Sequence, residues 1–331
     1  LVIICAYLRK SASPKIISQN SYFPDLSGER GCTLHIEPDC IPCISNMAVS
    51  ALRRLPISSE RRREIFTAIL EIPAFRGKLW HLTSPEIIEQ VWETICRETD
   101  QRDPFLQEKE LQNQRVEAIL PFLQSEIEKA EDPLRTAVHL AVIGNSIDLM
   151  IDNHAADIQQ TVIEGLRLPL PEPAYSAFSK KLNNSRKLVY LGDNSGEIVF
   201  DKLLMQTIRK RLEMDIHFVV RSTPTMNDVT LWEATAMGIS EVANIVENGV
   251  DGPVPGTMFR RCSQKLKELL QSADLIISKG GGNFDAFEED AETLGVDVSF
   301  LLLCKCHPYR RYFGQELFSP VLWNVFSDQE T

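Results

Sequence analysis

Acidic and amide side chains cluster in two short segments of the second half of the chain. The segment LGDNSGE holds Asp193, Asn194 and Glu197, and the segment RSTPTMND ends at Asp228. Carboxylate and amide-carbonyl oxygens are hard donors that suit Mg²⁺ or Mn²⁺, so Asp193, Asn194 and Asp228 are candidate ligands of one divalent metal ion. Glu197, four residues after Asp193, is a candidate acid/base group. The same residue types are favoured as helix caps and in first helical turns, so a structural role stays open for each.

Cationic and glycine-rich positions supply the complementary half of a phosphate site. Lys279 opens the segment KGGGN, where backbone N–H groups from Gly280 onward are able to surround phosphate oxygens, and Asn283 closes it. Arg221 and Lys305 follow two other apolar runs. We expect Lys305 on a buried strand, where a Lys needs an anionic partner. Three glycines also occur in ordinary flexible loops, so the glycine motif alone is weak.

Asn145 and Asp148 form a third candidate pair. They lie three residues apart in AVIGNSIDLM, on the helix face that carries Leu134, Val138 and Ala141. Two polar groups at the end of an apolar stripe are expected to face a cavity and contact a substrate. A polar helix end that reaches solvent is the alternative.

The cysteines give a weaker signal. Cys40 and Cys43 form a C-x-x-C in DCIPCISN, and Cys304, Cys306 and His307 would add soft ligands if the fold brought them near. A single C-x-x-C is compatible with a zinc site, a redox pair or two half-buried thiols at a helix start. Eight cysteines in 331 residues are ordinary for a cytoplasmic protein, and we expect most of them to be reduced.

The candidate residues belong to a series of alternating elements that begins near residue 185. Apolar strands are predicted at KLVYLG, IHFVVR, ANIVENG, DLIISK and VSFLLLCKC, with helical segments between them. Continuous apolar strands that alternate with helices predict an α/β fold, an α-β-α sandwich with a Rossmann-like, mostly parallel sheet. Ligands of such sheets bind outside the carboxyl ends of the strands, where the candidate residues stand.

The first half predicts a bundle of helices. Three helix starts share a capping residue followed by proline: Ser84-Pro85, Asp103-Pro104 and Asp132-Pro133. Pro121 is predicted to kink or divide the second of these helices, and the segment LRLPLPEPAYS closes the region. We therefore predict an extension without an assigned role over residues 1–38, a helical subdomain over 39–184 and a Rossmann-like domain with the metal and phosphate site over 185–331.

Composition and charge limit the partners. With 44% hydrophobic and 24% charged residues, the chain has the mixture of a folded globular protein rather than a disordered one. Its formal net charge of −11 is opposite to the basic surface that nucleic acid or an anionic membrane requires. No apolar run approaches the roughly 20 residues of a membrane span. We expect a cytoplasmic protein that acts on a small molecule, without a nucleic-acid or membrane partner.

The combination of motifs resembles the DUF89 family, the metal-dependent damage-control phosphatases that include the ARMT1-like proteins. The motifs occur in family order between about Asp39 and Phe318: DCIPC, RDPFLQEKELQN, EDPLRTAVHLAVIGNSIDL, LGDNSGEIVFDKLL, VVRSTPTMNDVT, ISKGGGNFDAF and LLLCKC. Seven ordered motifs are far more specific than any one of them, and the N-terminal C-x-x-C is similar to that of the stand-alone prokaryotic type. The resemblance implies hydrolysis of phosphomonoesters of small metabolites, such as sugar phosphates or damaged metabolites, with Mn²⁺, Ni²⁺, Co²⁺ or Mg²⁺.

The resemblance also implies roles for individual positions. The family's metal ligands match three positions singled out above, Asp193, Asn194 and Asp228. Its phosphate-binding lysine matches Lys279, with Asn283 closing the loop, and Arg221 and Lys305 match further polar positions. The second position of the loop, often Gln in the family, is Gly281 here, which could loosen the loop but leaves Lys279 and Asn283 in place.

The expected mechanism is metal-assisted attack by water on phosphorus. We expect Asp193, Glu197 and Lys279 to be catalytic, and the following residues to bind substrate: Arg221, Asn145, Asp148, Gly280, Asn283 and Lys305. Attack by Asp193 itself is the alternative, but haloacid-dehalogenase-type phosphatases carry a second Asp two residues later, where this chain has Ser195. Two other functions stay open. Methyl transfer from S-adenosylmethionine is one, because LGDNSGE loosely resembles the first motif of methyltransferases. Non-catalytic binding of a metabolite by the same residues is the other.

Overall fold

Helices make up the first half of the chain in this computed structural model, which describes residues 34–147 and 158–327. They are α1 (Cys40–Arg54), α2 (Ser59–Leu70), α3 (Ser84–Thr99), α4 (Leu106–Glu117), α5 (Leu120–Lys129), α6 (Pro133–Gly144), α7 (Ile158–Leu166) and α8 (Glu172–Asn183), with a short 3₁₀ turn at Pro73–Arg76. Pro121 lies in the first turn of α5, so the predicted division of the long helical segment at this proline is confirmed.

Two of the three predicted helix starts need correction. Asp132 caps α6, since its carboxylate accepts from the backbone N–H of Arg135 at 3.1 Å, as predicted. At α3 the cap is Thr83 rather than Ser84, and it forms a capping box with Glu86. Asp103 does not begin a helix directly, because its carboxylate accepts from the N–H of Phe105 at 3.2 Å and closes a turn before α4.

Strands and helices alternate from residue 187 onward. The strands are β1 (Lys187–Leu191), β2 (Asp215–Val220), β3 (Asn244–Glu247), β4 (Leu275–Lys279), β5 (Val298–Leu303) and β6 (Pro320–Val325). The intervening helices are α9 (Glu197–Arg211), α10 (Leu231–Ala236), α11 (Gln264–Gln271), α12 (Gly280–Leu294) and α13 (His307–Phe313), with 3₁₀ turns at Ile239–Glu241 and Phe259–Arg261. The alternation predicted from the sequence is therefore confirmed, except that β6 was not predicted.

The six strands form one sheet in the order β3-β2-β1-β4-β5-β6. β1 to β5 pair in parallel, and β6 runs antiparallel to β5. The strand order reverses at β1, whose neighbours are β2 on one side and β4 on the other. Such a reversal opens a crevice at the carboxyl ends of the strands, the usual place for a ligand in a doubly wound sheet.

Apolar side chains are buried on both faces of the sheet. In β1, Leu188 and Tyr190 point into one core cluster, whereas Val189 and Leu191 point into the cluster on the opposite face. This alternation of faces explains why the strand sequence is apolar throughout. A third cluster lies among α1, α2 and α3. All described residues belong to one compact unit, and the domain boundary near residue 184 stays a prediction.

None of the helices in the described ranges combines the length and the apolarity that a bilayer crossing requires.

Candidate functional site

The turns after β1 and β2 bring the three predicted metal ligands together. Asp193 and Asn194 follow β1, and Asp228 follows β2. The backbone N–H of Val229 donates to the carbonyl of Asp193 at 2.8 Å, and Asn194 pairs with Asp228 across an isolated β-bridge. Backbone pairing therefore sets the spacing of the two turns, and the two carboxylates and the amide lie at one edge of the sheet.

Asp193 is buried in a region of negative charge. Burial raises the pKa of Asp193 well above its usual range, and the neighbouring charges of Glu197 and Asp228 raise it further. Arg221 and Lys305 act in the opposite direction on the same pKa without reversing it. A cation bound at Asp193 would relieve this repulsion.

Lys279 is buried between two carboxylates rather than turned toward an open pocket. Its ammonium lies 2.5 Å from Glu197 and 2.7 Å from Asp201, and all three side chains are almost completely buried. Burial opposes the charged form, but Asp201 and Glu197 outweigh it and raise the pKa of Lys279 above its usual value. Tyr190 donates to the same Asp201 oxygen at 2.7 Å. Lys279 therefore compensates acids inside the protein.

Asn145 is the residue at the C-terminal end of α6 that touches both site acids. Its amide nitrogen lies 3.3 Å from Asp193 Oδ2 and 3.2 Å from Glu197 Oε2, and its carbonyl oxygen accepts from the backbone N–H of Leu303 at 3.3 Å. The amide thus ties the end of β5 to the acids. Asp148, predicted on the same helix face, lies outside the described residues.

Arg221 is also engaged by protein groups. Its Nε donates to Asp228 at 2.7 Å, and its terminal nitrogens donate to Thr257 at 3.1 Å, to the carbonyl of Gly192 at 3.2 Å and to Asn283 at 3.3 Å. The amide of Asn283 donates in turn to the Gly192 carbonyl at 2.9 Å. A planar guanidinium held on several sides fixes the orientation of the carboxylate it contacts.

The glycine segment departs from its expected loop conformation. Residues from Gly280 onward begin α12 directly after β4, so the predicted flexible phosphate loop is instead the first turn of a helix. Gly280 has a φ of +74°, and a Cβ there would lie 1.7 Å from Asp193 Oδ2. Only glycine allows this approach. The unpaired backbone N–H groups of a first helical turn still suit an anion.

Lys305 lies beyond the strand on which we expected it. β5 ends at Leu303, and Lys305 is half-buried rather than enclosed. Its positive charge lowers the pKa of Asp193.

The C-x-x-C forms the first turn of α1. Cys40 is half-buried and Cys43 is exposed, and both are free thiols. In the described ranges no three His, Cys, Asp or Glu side chains are placed to hold a metal ion. Within these ranges, Cys304, Cys306 and His307 therefore do not complete a metal site with the C-x-x-C. The thiols of Cys40 and Cys43 lie at the start of a helix, as the third interpretation predicted.

The buried charges of the site do not balance. Asp193, Glu197, Asp201 and Asp228 are four carboxylates, and the two cations buried among them are Lys279 and Arg221. When all six groups are ionised, this set of described buried residues carries two net negative charges. Asp193, Asn194 and Asp228 offer hard oxygen donors at this place, so the residues present fit a divalent cation.

Sequence reasoning missed several contacts that organise the site. Asp201 stands four residues after Glu197 on α9, so helical spacing alone would have placed both acids on one face. Tyr190 gives no such signal, because a tyrosine in an apolar strand is ordinary. Its hydrogen bond to Asp201 is evident only from the structure. Thr257 comes from an irregular segment that periodicity does not describe.

Comparisons with known proteins show the family of the chain. The family described as damage-control phosphatase ARMT1-like domain matches residues 36–320 of the chain. A damage-control phosphatase of Archaeoglobus fulgidus is 31% identical over 219 residues, 64% of this chain and 72% of the relative. Damage-control phosphatase PH1575 of Pyrococcus horikoshii is 23% identical over 283 residues, 82% of this chain and 92% of that protein.

A solved structure shows the same fold. The crystal structure of PH1575 from Pyrococcus horikoshii, described as a DUF89 family protein, superposes with a TM-score of 0.73 at 21% sequence identity. The match covers 87% of this chain and 98% of that one. The predicted fold class and the resemblance to DUF89 are both confirmed.

Proposed function

The chain belongs to the damage-control phosphatase ARMT1-like domain family, and from this premise we propose that it hydrolyses phosphomonoesters of small metabolites with a divalent metal ion. That it is a phosphatase follows from the family and from the names of its relatives. The metal dependence, the monoester substrates and the residue roles are our proposal. Sugar phosphates and related, damaged metabolites are the substrate class we favour.

One observation supports the metal site most strongly. Among the residues that the structure describes, the buried cluster has two more carboxylates than cations. Asp193 and Asp228 are two of these carboxylates, and Asn194 adds an amide oxygen beside them. Carboxylates are rarely buried without compensation. We propose that these three residues hold Mn²⁺, Ni²⁺, Co²⁺ or Mg²⁺. When bound, such an ion supplies Lewis-acid polarisation of a phosphoryl oxygen.

The phosphate-binding roles differ from those expected of the sequence. Lys279 and Arg221 already compensate buried carboxylates, so we propose that both position acids and do not contact the phosphoryl group. Lys305 and the backbone N–H groups at the start of α12, from Gly280, are the groups that we propose receive the phosphoryl oxygens. Both lie beside Asp193 at the edge of the sheet.

Glu197 has a positioning role in this proposal. One of its oxygens contacts Lys279 at 2.5 Å, and the other lies 3.2 Å from the amide nitrogen of Asn145 and 3.4 Å from that of Asn194. Because its amide nitrogen faces the acids, Asn194 can present its carbonyl oxygen to a cation. Water is the nucleophile that we favour, since Ser195 occupies the place of the second Asp of haloacid-dehalogenase-type enzymes.

The two other functions considered from the sequence are not favoured. Methyl transfer from S-adenosylmethionine needs no divalent cation, so it does not explain the excess of negative charge around Asp193 and Asp228. Non-catalytic binding accounts for the same cluster of residues, but the relatives named above are phosphatases.

A substrate and metal screen tests the proposal. The purified chain is assayed for phosphate release from sugar phosphates and nucleotides, with Mn²⁺, Ni²⁺, Co²⁺ or Mg²⁺ and with a chelator. We expect release only with metal, and we expect Asp193→Asn to lower it by at least about 100-fold, because the change removes a ligand charge without changing shape.

Asp297→Asn is the matched control. Asp297 is another buried acid, and it binds Lys181 and Ser327 away from the site. The control should keep its metal-dependent activity. Activity that survives chelation, or equal losses in the two variants, would contradict the metal site; no phosphate release under any condition would contradict the phosphatase assignment.

A further inference from the structure

The buried side of α4 is polar, which is unusual for a helix packed in a protein. Lys109, Gln112 and Asn113 are 0%, 7% and 4% exposed and share one helix face. Packed helices normally bury an apolar stripe, and Val116 is the buried apolar residue of this helix. Buried polar groups are costly unless they are paired, so the partners of these three side chains indicate what α4 does.

Asn113 holds the turn that follows β1. The backbone N–H of Gly196 donates to its side-chain oxygen at 2.5 Å. Gly196 has a φ of +78°, and a Cβ there would lie 2.7 Å from Cγ of Gln112, so the turn packs directly on α4. Gly196 stands between Asn194 and Glu197 in the chain. Asn113 therefore fixes the turn that carries Asp193 and Asn194 without contacting either side chain.

Lys109 contacts the first turn of α10, the helix that follows the turn after β2. Its ammonium lies 2.8 Å from Glu233, whose other oxygen accepts from the backbone N–H of Thr230 at 2.8 Å. Thr230 pairs with Arg221 across a β-bridge, and Arg221 holds the carboxylate of Asp228 at 2.7 Å. One helix thus contacts the first of the two turns that bear candidate metal ligands directly, through Asn113, and is linked to the second through Lys109, Glu233 and Thr230.

We propose that α4 is a clamp that keeps these two turns in register, with Asn113 and Lys109 as positioning residues for the cation site. The inference rests on the proposed function, because the turns matter to chemistry only if they bind a metal ion. Groups that orient metal ligands from outside the coordination sphere commonly change metal affinity by about 10- to 100-fold when they are removed.

The experiment replaces the acceptor of Gly196 and measures Mn²⁺ binding by calorimetry, without substrate. Asn113→Leu keeps the side-chain size but removes the oxygen, and we expect it to weaken Mn²⁺ binding by about tenfold or more. Asn113→Asp keeps an oxygen at the same place and should restore most of the affinity. A merely structural role would not distinguish the two variants in this way.

Val116→Ala is the matched control on the same buried helix. It removes apolar packing from α4 without touching either turn, so we expect a lower melting temperature and unchanged Mn²⁺ affinity. The clamp is refuted if Val116→Ala weakens Mn²⁺ binding as much as Asn113→Leu does, or if Asn113→Leu binds Mn²⁺ like the wild type.

Amide hydrogen exchange separates failure of the clamp from failure of the metal site. Removing the acceptor should speed exchange at Gly196 in the metal-free protein, whether or not the chain binds Mn²⁺. If the wild type binds no divalent metal, the proposed function fails; unchanged exchange at Gly196 overturns the clamp. If Asn113→Leu does not fold, Asn113→Ala, which removes the same acceptor without adding apolar bulk, is measured in its place.

Discussion

The substitution Gly280→Ala should displace the carboxylate of Asp193. In the structure a Cβ at residue 280 would lie 1.7 Å from Asp193 Oδ2 and 2.4 Å from its Cγ. Contacts of a Cβ below 3.0 Å essentially never occur, so the two groups must separate by at least 1.3 Å. The carboxylate or the start of α12 has to move, and either movement spoils the arrangement around the candidate cation.

Two costs contribute to the expected effect. An alanine at a φ of +74° costs about 1 kcal/mol relative to glycine, and forcing a group into a packed space costs typically 1–3 kcal/mol. We therefore expect the free energy of unfolding to fall by about 2–4 kcal/mol. Misplacement of a reacting group by about 1 Å is able to cost 100-fold in rate, so kcat/KM for phosphate release should fall by at least that factor.

Gly295→Ala separates the conformational cost from the collision. Gly295 has a φ of +62°, and nothing lies within 4 Å of a Cβ built there. It should lose only about 1 kcal/mol of stability and keep full activity. Urea unfolding and metal-dependent phosphate release are measured for both variants. If Gly280→Ala resembles Gly295→Ala in both assays, the close approach of residue 280 to Asp193 is wrong.

Two further predictions concern buried ionisable groups. Lys279→Met should lower the free energy of unfolding by about 3–5 kcal/mol in urea titrations at pH 8, because it leaves Glu197 and Asp201 without their cation; an equally stable variant would contradict the buried ion pairs. Burial, assisted by Arg135, lowers the pKa of His139 from near 6.5 to about 4. The unfolded chain therefore binds more protons between these values, and His139 should reduce stability by roughly 3 kcal/mol as the pH falls from 6.5 to 4. In His139→Phe this part of the pH dependence of urea unfolding should disappear; an unchanged slope would show that His139 is not buried in its neutral form.

The sequence predicted the parts of the fold that depend on local pattern. The strands from β1 to β5 are apolar runs between helices, and a parallel sheet places their carboxyl ends at one edge. This reasoning correctly predicted that Asp193, Asn194 and Asp228 lie close together. β6 escaped because it begins with Pro320 at the edge of the sheet, where a strand has few of the usual sequence marks.

Side-chain pairing depended on tertiary structure and was not predictable in the same way. Lys279 is the last residue of β4, at the end of the sheet where it was expected. The sequence does not show whether its partner is a ligand or an acid of the protein. In the structure the partners of Lys279 are two acids of α9, Glu197 and Asp201. Only the tertiary packing of α9 places both carboxylates next to this lysine. Consecutive glycines likewise suggested a loop at Gly280, whereas α12 begins there and residue 280 passes close to Asp193.

The positions of the two buried cations limit how a phosphoryl group can be bound. Moving Lys279 or Arg221 onto a substrate would strip a buried carboxylate of its partner, which costs about 3–5 kcal/mol for each pair that is broken. A single hydrogen bond to a charged group contributes only about 1.5–3 kcal/mol, which does not offset this cost. We therefore expect the substrate to bind at the backbone at the start of α12, at the half-buried Lys305 and at a cation held by Asp193, rather than at the two buried cations. On this reasoning Lys279 contributes to catalysis by holding Glu197 and Asp201 in place.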